Sequence, residues 1–313
     1  MTCCTEAPLL EKSLISVHHL NRDDITTILE YSQWLKDNPQ PDLLKGCIMA
    51  SCFFEPSTRT RLSFESAMYR LGGQVIGFSD AQTTSATKQE ALADTIKVVG
   101  EYADVLVIRH PLEGSAQLAA ESTTKPVING GDGTNQHPTQ TLLDLFSIKE
   151  SQGRLDNLHI AMVGDLKHGR TTHSLAQACA HFNARLYFVS PPSLEIPQHI
   201  CEDLRHKRIK FSFHRNLEDV LGKADILYMT RIQEERFADS IEYHRLKNAY
   251  ELKRSHLLDT VKDNMRILHP LPRVNEISRC VDGSPHAYYF QQAQNGLYIR
   301  QALLALALGK GGI

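Results

Sequence analysis

The most informative part of this 313-residue sequence is the stretch Ala50-Ser51-Cys52-Phe53-Phe54-Glu55-Pro56-Ser57-Thr58-Arg59-Thr60-Arg61-Leu62-Ser63-Phe64-Glu65. Its apolar first part predicts a buried strand, which Pro56 ends. Ser57 and Thr58 are residue types that precede helices, and a helical pattern then continues to a Gly-Gly pair. The stretch therefore predicts a strand that turns directly into a helix at residues 57–60.

A junction of this kind is suited to binding an anion. Free backbone N–H groups and the positive end of the helix dipole meet at the start of the helix. Arg59 adds a planar charge that can contact a phosphate through two hydrogen bonds. The alternative interpretation is an ordinary capped helix with solvated arginines.

The rest of the chain repeats the alternation of strands and helices. This predicts an α/β protein with two doubly wound domains, each with a central parallel sheet flanked by helices. We expect a first domain over residues 1–150 and a second over 151–287, with the boundary near Gln152-Gly153. A final amphipathic helix, about 288–313, is expected to pack back on the first domain.

Basic side chains follow several of the predicted strands. Ligands of parallel sheets bind beyond the carboxyl ends of the strands. Four strands in the two domains carry an arginine there, namely Arg59, Arg109, Arg170 and Arg231. A lone histidine such as His137, before a helix, is more often structural than catalytic. The four arginines together predict a cationic cleft for a small ligand with several negative charges.

Composition narrows the classes of function. The chain is 42% hydrophobic and 22% charged, with a formal net charge of −2, which argues against binding to nucleic acid or a membrane surface through bulk charge. The first residues include Glu6 and Glu11 and lack the apolar segment of a signal peptide. Seven cysteines without a C-x-x-C pair suit free thiols in a reducing cytoplasm and give no zinc site.

Several catalytic motifs are missing from the sequence. It has no acidic metal cluster, no P-loop lysine motif and no G-x-S-x-G elbow, which argues against nucleotide hydrolysis and serine chemistry. A dinucleotide-dependent enzyme is supported only by Val163-Gly164-Asp165 after a strand, without G-x-G-x-x-G. We therefore expect metal-free transfer between anionic substrates, with no cofactor.

These segments together resemble a known family, the catalytic chains of aspartate carbamoyltransferases within the aspartate and ornithine carbamoyltransferases. The run Ser57–Arg61 resembles the carbamoyl-phosphate signature of both enzymes, and His137-Pro138-Thr139-Gln140 resembles their second shared motif. Residues 164–171, Thr230-Arg231-Ile232-Gln233 and His269-Pro270-Leu271-Pro272-Arg273 resemble the aspartate-specific domain. Ornithine enzymes typically carry a cysteine where this chain has Pro270.

The resemblance implies transfer of the carbamoyl group of carbamoyl phosphate to the amine of L-aspartate, a step of pyrimidine biosynthesis that releases phosphate. The catalytic residues it implies are Arg59, Thr60, Arg109 and His137. Carbamoyl phosphate is expected on Ser57, Thr58, Arg59, Thr60, Arg109, His137, Gln140, Leu271 and Pro272. Aspartate is expected on Lys88, Arg170, Arg231 and Gln233.

The resemblance also implies an assembly. Ser85 and Lys88 are expected to enter the site of a neighbouring protomer, in a homotrimer with shared active sites. The segments look most like the enterobacterial type, whose trimers assemble with zinc-bearing regulatory chains. Gln89 departs from the family, which usually has glycine after this lysine, and Leu271-Pro272 is expected to be a cis peptide.

Two alternatives to this function stay open at the level of sequence. One is a carbamoyltransferase for ornithine or another amine. The other is a non-catalytic anion-binding or regulatory protein that keeps the fold, although such a protein has no need of Ser57–Arg61, Lys88 and His137 together.

Overall fold

The computed structural model describes residues 13–80, 82, 84–232, 237, 240–247, 249–258 and 260–311. The chain divides into two units, Met1–Leu143 with Gln294–Ile313, and Asp144–Ala293. The divisions fall within two helices, α5 (Pro138–Gln152) and α10 (Tyr289–Ala307).

The first unit is built on a four-stranded parallel sheet with the strand order β2-β1-β3-β4. Its strands are β1 (Ile48–Phe53), β2 (Gln74–Phe78), β3 (Val105–His110) and β4 (Val127–Asp132). Its helices are α1 (Arg22–Asp37), α2 (Thr58–Arg70), α3 (Leu92–Tyr102) and α4 (Ser115–Ser122), and short 3-10 helices cover Val17–His19 and Ser85–Lys88.

Local sequence explains how these elements begin and end. The apolar residues of β1 are buried from Met49 to Phe53, as a central strand requires. A capping box starts α1, because Asn21 accepts from the amide of Asp24 and the Asp24 carboxylate accepts from the amide of Asn21. Ser57 is the N-cap residue of α2, at the predicted junction.

The second unit is built on a five-stranded parallel sheet with the order β7-β6-β5-β8-β9. Its strands are β5 (His159–Val163), β6 (Arg185–Val189), β7 (Phe211–His214), β8 (Ile226–Met229) and β9 (Arg266–Leu268). Its helices are α6 (Arg170–Cys179), α7 (Gln198–His206), α8 (Glu218–Leu221) and α9 (Ser240–Leu246), with 3-10 helices at Ala180–Phe182, Pro192–Leu194, Arg254–Leu257 and Arg279–Val281. Two such units confirm the predicted fold class.

Each sheet has one point where the strand order reverses direction. In the first sheet the chain leaves β1 toward β2, but leaves β3 toward β4, on the other side. In the second sheet the reversal lies between β5 and β8. The loops after the two strands diverge at such a point and leave a crevice, which is where open parallel sheets bind ligands.

The helix α10 differs from its prediction. Residues 299–307 are all buried, so the expected amphipathic pattern is wrong for this half of the helix. The part in the first unit packs closely on other helices, with the Arg300 guanidinium 5.1 Å from the Phe64 ring and the Lys36 ammonium 5.2 Å from the Tyr298 ring. Among the described residues, no helix combines the length and the apolar character needed to cross a membrane.

Candidate active site

In the first unit, Arg109 lies at the reversal point of the sheet. It is the fifth residue of β3 and pairs in register with Phe53, the last residue of β1. Arg59 follows β1 in the first turn of α2. The sheet therefore brings the loops that carry Arg59 and Arg109 to the same edge.

The guanidinium of Arg109 is held by two acceptors. Its Nη2 lies 2.7 Å from Glu55 Oε1, and its Nη1 donates to the Gly130 carbonyl at 3.2 Å. Burial lowers the pKa of Arg109, and the Glu55 carboxylate opposes this shift. Its Nε is buried and has no hydrogen-bond partner among the described residues. The group is therefore a fixed planar cation with a donor left over.

His137 and Thr60 lie next to each other in the first unit. Both are buried, and the Thr60 hydroxyl lies 3.5 Å from His137 Nε2. The other ring nitrogen, Nδ1, lies 3.3 Å from the Thr139 hydroxyl. A neutral ring whose Nδ1 accepts from Thr139 carries its proton on Nε2, where it can donate to a ligand oxygen.

The loop before His137 is held by the buried carboxylate of Asp132. Its Oδ1 accepts from the Asn129 side chain at 2.9 Å and from the Gln136 amide at 3.1 Å. Its Oδ2 accepts from the Gly114 amide and from the Asn135 side chain, both at 3.0 Å. These four bonds fix the end of β4, so the histidine enters α5 from a rigid turn.

The start of α2 has the features of an anion site. The first helical bond runs from the Arg61 amide to the Ser57 carbonyl, so the amides of residues 58–60 come before it. Ser57 is half-buried and its side chain makes no capping bond, while Thr58 and Arg59 are exposed. Gln140 is half-buried in the first turn of α5, where its amide donates to the His137 carbonyl at 3.0 Å.

The segment that carries Ser85 and Lys88 forms a 3-10 helix, with Lys88 exposed. The next residue, Gln89, has φ of +65°, in the left-handed region that favours glycine. The departure from the family at Gln89 therefore falls on a position whose backbone conformation explains the usual glycine.

In the second unit, Arg170 and Arg231 follow the two strands at the reversal point. Arg170 is the first residue of α6 after β5, Arg231 comes two residues after β8, and both are half-buried. Gly164, between β5 and α6, has φ of +118°, and a Cβ there would lie 2.3 Å from the Thr230 carbonyl oxygen. The strand ends that lead to the two arginines therefore approach as closely as glycine allows.

The corner after β9 is braced by His269. Its Nδ1 accepts from the Leu271 amide at 2.7 Å, so the proton is on Nε2, 2.6 Å from Glu276 Oε1. Burial lowers the pKa of His269 against the pull of Glu276, and the nearby charges of Arg273 and Arg231 act in the same direction as burial. Leu271 has φ of +54° and its bond to Pro272 is cis, as the resemblance implies. This corner therefore lies within electrostatic reach of Arg231.

Some expected residues are not placed, and some contributors were not expected. Gln233 lies outside the described residues. The sequence did not single out Glu55, although its position two residues after β1 puts it at the ligand edge. Among the described residues, no three His, Cys, Asp or Glu side chains group as metal ligands would.

Comparison with known proteins assigns the family. The family model for the aspartate/ornithine carbamoyltransferase carbamoyl-P binding domain matches residues 12–150. The model for the Asp/Orn binding domain of the same enzymes matches residues 156–307. The chain belongs to the aspartate/ornithine carbamoyltransferase family.

Solved structures of family members agree with this assignment. The catalytic subunit of M. jannaschii aspartate transcarbamoylase is 49% identical, with a TM-score of 0.88 over 94% of this chain and 96% of that one. Trypanosoma cruzi aspartate transcarbamoylase in complex with carbamoyl phosphate and aspartate is 36% identical, with a TM-score of 0.89 over 95% of this chain and 97% of that one. The same T. cruzi enzyme with N-(phosphonacetyl)-L-aspartic acid is similar at a TM-score of 0.86, 36% identity, and 95% and 96% of the two chains.

Proposed function

We propose that this chain is an aspartate carbamoyltransferase, which forms N-carbamoyl-L-aspartate and phosphate from carbamoyl phosphate and L-aspartate. The observation that carries the proposal is that each sheet reversal has two arginines at its edge, Arg59 and Arg109 in the first unit and Arg170 and Arg231 in the second. Two substrates that each carry at least two negative charges need such pairs. The aspartate transcarbamoylases among the similar structures favour aspartate over ornithine as the acceptor.

Carbamoyl phosphate is assigned to the edge of the first unit. Its phosphate accepts hydrogen bonds from the amides at the start of α2, from the hydroxyls of Ser57 and Thr58, and from the Arg59 guanidinium. Gln140 binds the carbamoyl end, and the carbonyl oxygen accepts hydrogen bonds from Thr60, Arg109 and His137. Support comes from the two contacts that fix Arg109 and from the ring of His137, whose Nε2 faces Thr60.

Aspartate is assigned to the edge of the second unit. Its two carboxylates bind Arg170 and Arg231, with Gln233 nearby. Lys88 of the adjacent protomer also binds aspartate. Backbone carbonyls of the Pro270-Leu271 corner help to orient the amines, while Leu271 and Pro272 also contact carbamoyl phosphate. The close approach at Gly164 supports this assignment, because it narrows the distance between the strand ends that precede the two arginines.

The chemistry needs positioning more than a reactive side chain. The aspartate amine attacks the carbamoyl carbon, and the C–O bond to phosphate breaks as charge develops on the carbonyl oxygen. Fixed donors stabilise that charge because they need no rearrangement during the reaction. The departing phosphate accepts the proton that the amine loses.

A homotrimer is proposed as the working assembly. The first unit exposes large apolar side chains, with Leu62 at 50%, Tyr69 at 60% and Ile76 at 40% exposure. A groove on α2 is lined by Leu62, Tyr69 and Arg70 among others, and a second copy of the chain would cover it.

Ser85 and Lys88 follow β2 on this unit and would reach the neighbour's site. Zinc-bearing regulatory chains and a cytoplasmic location complete the proposal, and free thiols at Cys47, Cys52 and Cys179 suit a reducing compartment.

A direct assay tests the reaction. The purified chain is incubated with carbamoyl phosphate and either L-aspartate or L-ornithine, and the carbamoylated product and phosphate are both measured. We expect one phosphate per N-carbamoyl-aspartate and no ornithine product above a reaction without amine. Turnover of ornithine but not aspartate would contradict the proposal, and native mass measurement separates a trimer from a larger assembly.

A further inference from the structure

A buried chain of hydrogen bonds joins the strand that precedes Arg231 to the 269–272 corner within the second unit. The Asp144 carboxylate on α5 accepts from the Tyr228 hydroxyl at 2.8 Å and from Gln292 Nε2 at 2.6 Å. Gln292 Oε1 in turn accepts from the His269 amide at 2.8 Å. All four residues are at most 2% exposed. Of the four, only His269 belongs to a motif quoted from the sequence, and Asp144, Tyr228 and Gln292 do not.

The charge of Asp144 fixes which way the Gln292 amide points. A carboxylate can only accept, so the NH2 end of the glutamine must face it. The oxygen end is then turned to the His269 amide, directly before Pro270 and Leu271. A reversed amide would face the carboxylate with its own oxygen and leave the His269 amide against an NH2 group. The His269 backbone, at the start of the 269–272 corner, is therefore linked to the Asp144 carboxylate through two hydrogen bonds.

The Asp144 carboxylate is also linked through hydrogen bonds to the start of α6. Thr171, the residue after Arg170, hydrogen-bonds the Tyr228 hydroxyl, whose proton points to Asp144. Burial and the neighbouring negative charge raise the pKa of Tyr228 well above its ordinary value, so the phenol stays a donor. Tyr228 is also the residue of β8 that lies three positions before Arg231. The start of α6 and the end of β8 are thereby tied to one buried acceptor.

We propose that Asp144 is a positioning residue for the amine substrate, acting through Tyr228 on the Arg170 segment and through Gln292 on the 269–272 corner. It is not a catalytic residue, because it is fully buried and accepts hydrogen bonds from the buried side chains of Tyr228 and Gln292. The proposal rests on the proposed function, in which this edge binds aspartate.

The test exchanges the carboxylate and the amide. Asp144→Asn removes the charge and replaces one of the two acceptor oxygens that face Tyr228 and Gln292 by an NH2 group. Gln292→Glu places two carboxylates face to face. In the double variant the introduced amide can accept from Tyr228 and donate to the introduced carboxylate, which still accepts from the His269 amide. All hydrogen bonds are then restored with the charge moved to the other side.

Steady-state kinetics of the full chain give the outcome. We expect each single variant to raise KM for aspartate about tenfold, the effect of one charge-assisted hydrogen bond. The double variant should return KM for aspartate to within about threefold of the original chain. Tyr228→Phe, which removes one hydroxyl and keeps the ring, should raise the same KM by about fivefold, and it provides the result if a single variant does not fold.

Two results would contradict the proposed role of Asp144. If the variants lower the melting temperature but leave KM for aspartate unchanged, Asp144 is only structural. A double variant no better than the worse single variant would also overturn the proposal. An original chain that does not carbamoylate aspartate would instead refute the proposed function, so the two failures can be told apart.

Discussion

Replacing Gly164 by alanine tests whether the close approach of the strand ends matters for the second unit. The backbone there has φ of +118°, which costs an L-residue about 1–3 kcal/mol. The new Cβ would also lie 2.3 Å from the Thr230 carbonyl oxygen, whereas ordinary contact begins at 3.4 Å, so the two backbones must separate by about 1 Å. Overpacking of that kind costs about 1–3 kcal/mol more. We therefore expect a total loss of stability of about 2–6 kcal/mol.

The shift should also reach the proposed substrate contacts. Arg231 follows Thr230 directly, and a displacement of about 1 Å at a binding group can lower kcat/KM by about 10²-fold. A matched control is Gly153→Ala, in the same unit, where φ is +71° but no atom lies within 4 Å of the added Cβ. That variant should lose only about 1 kcal/mol and keep kcat/KM for aspartate within about twofold.

Urea unfolding and initial-rate kinetics of both variants provide the measurement. The reasoning is wrong if the two substitutions cost the same stability, because the steric contribution would then be absent. It is also wrong if Gly164→Ala unfolds more easily but binds aspartate as well as the original chain does.

Three further perturbations should have the following results. His137→Ala removes a donor to the developing oxyanion and should lower kcat by about 10²–10³-fold in initial-rate assays, with a fall below about threefold contradicting its role. A mixture of two inactive variants, Arg59→Ala and Lys88→Gln, should regain activity through hybrid trimers after dissociation and reassembly, and no recovery would argue against a shared site. Because burial lowers the pKa of His269 below its ordinary 6.5, the unfolded state binds more protons than the native state, so stability should fall as pH drops below about 6.5 toward the folded pKa. Thermal unfolding between about pH 7.5 and 5 measures this loss, which should be shallower in His269→Gln, while an unchanged slope would rule out the assignment.

Local signals were enough for the elements that carry the arginines. The apolar run before Pro56 became β1, and the hydroxyl residues after it became the start of α2. The strand before Arg109 and the strand that ends near Thr230 were equally clear, because central parallel strands are buried on both faces.

Other elements carried weaker signals. The helix α4 has only eight residues of mixed small and polar type, so no periodic pattern marks it. The strand β7 lies at the edge of its sheet and is partly exposed, so it lacks a continuous apolar run. The order of the strands was not predicted either, and it is this order that sets the two reversal points.

The contacts that hold the site were the least predictable. Glu55 pairs with a residue 54 positions later, and Tyr228 bonds to a residue 84 positions earlier. Such partners are brought together by the tertiary fold and have no local spacing in sequence. Motifs identify the groups expected to touch substrate, while the groups that orient them are visible only in the structure.

A crystal structure with N-(phosphonacetyl)-L-aspartic acid tests whether the arginines bind both substrates, since this molecule joins a phosphonate to an aspartate. We expect the phosphonate on the amides of residues 58–60 with Arg59, and the two carboxylates on Arg170 and Arg231. A bound molecule whose carboxylates contact neither of these arginines, or whose phosphonate lies away from the start of α2, would contradict this expectation.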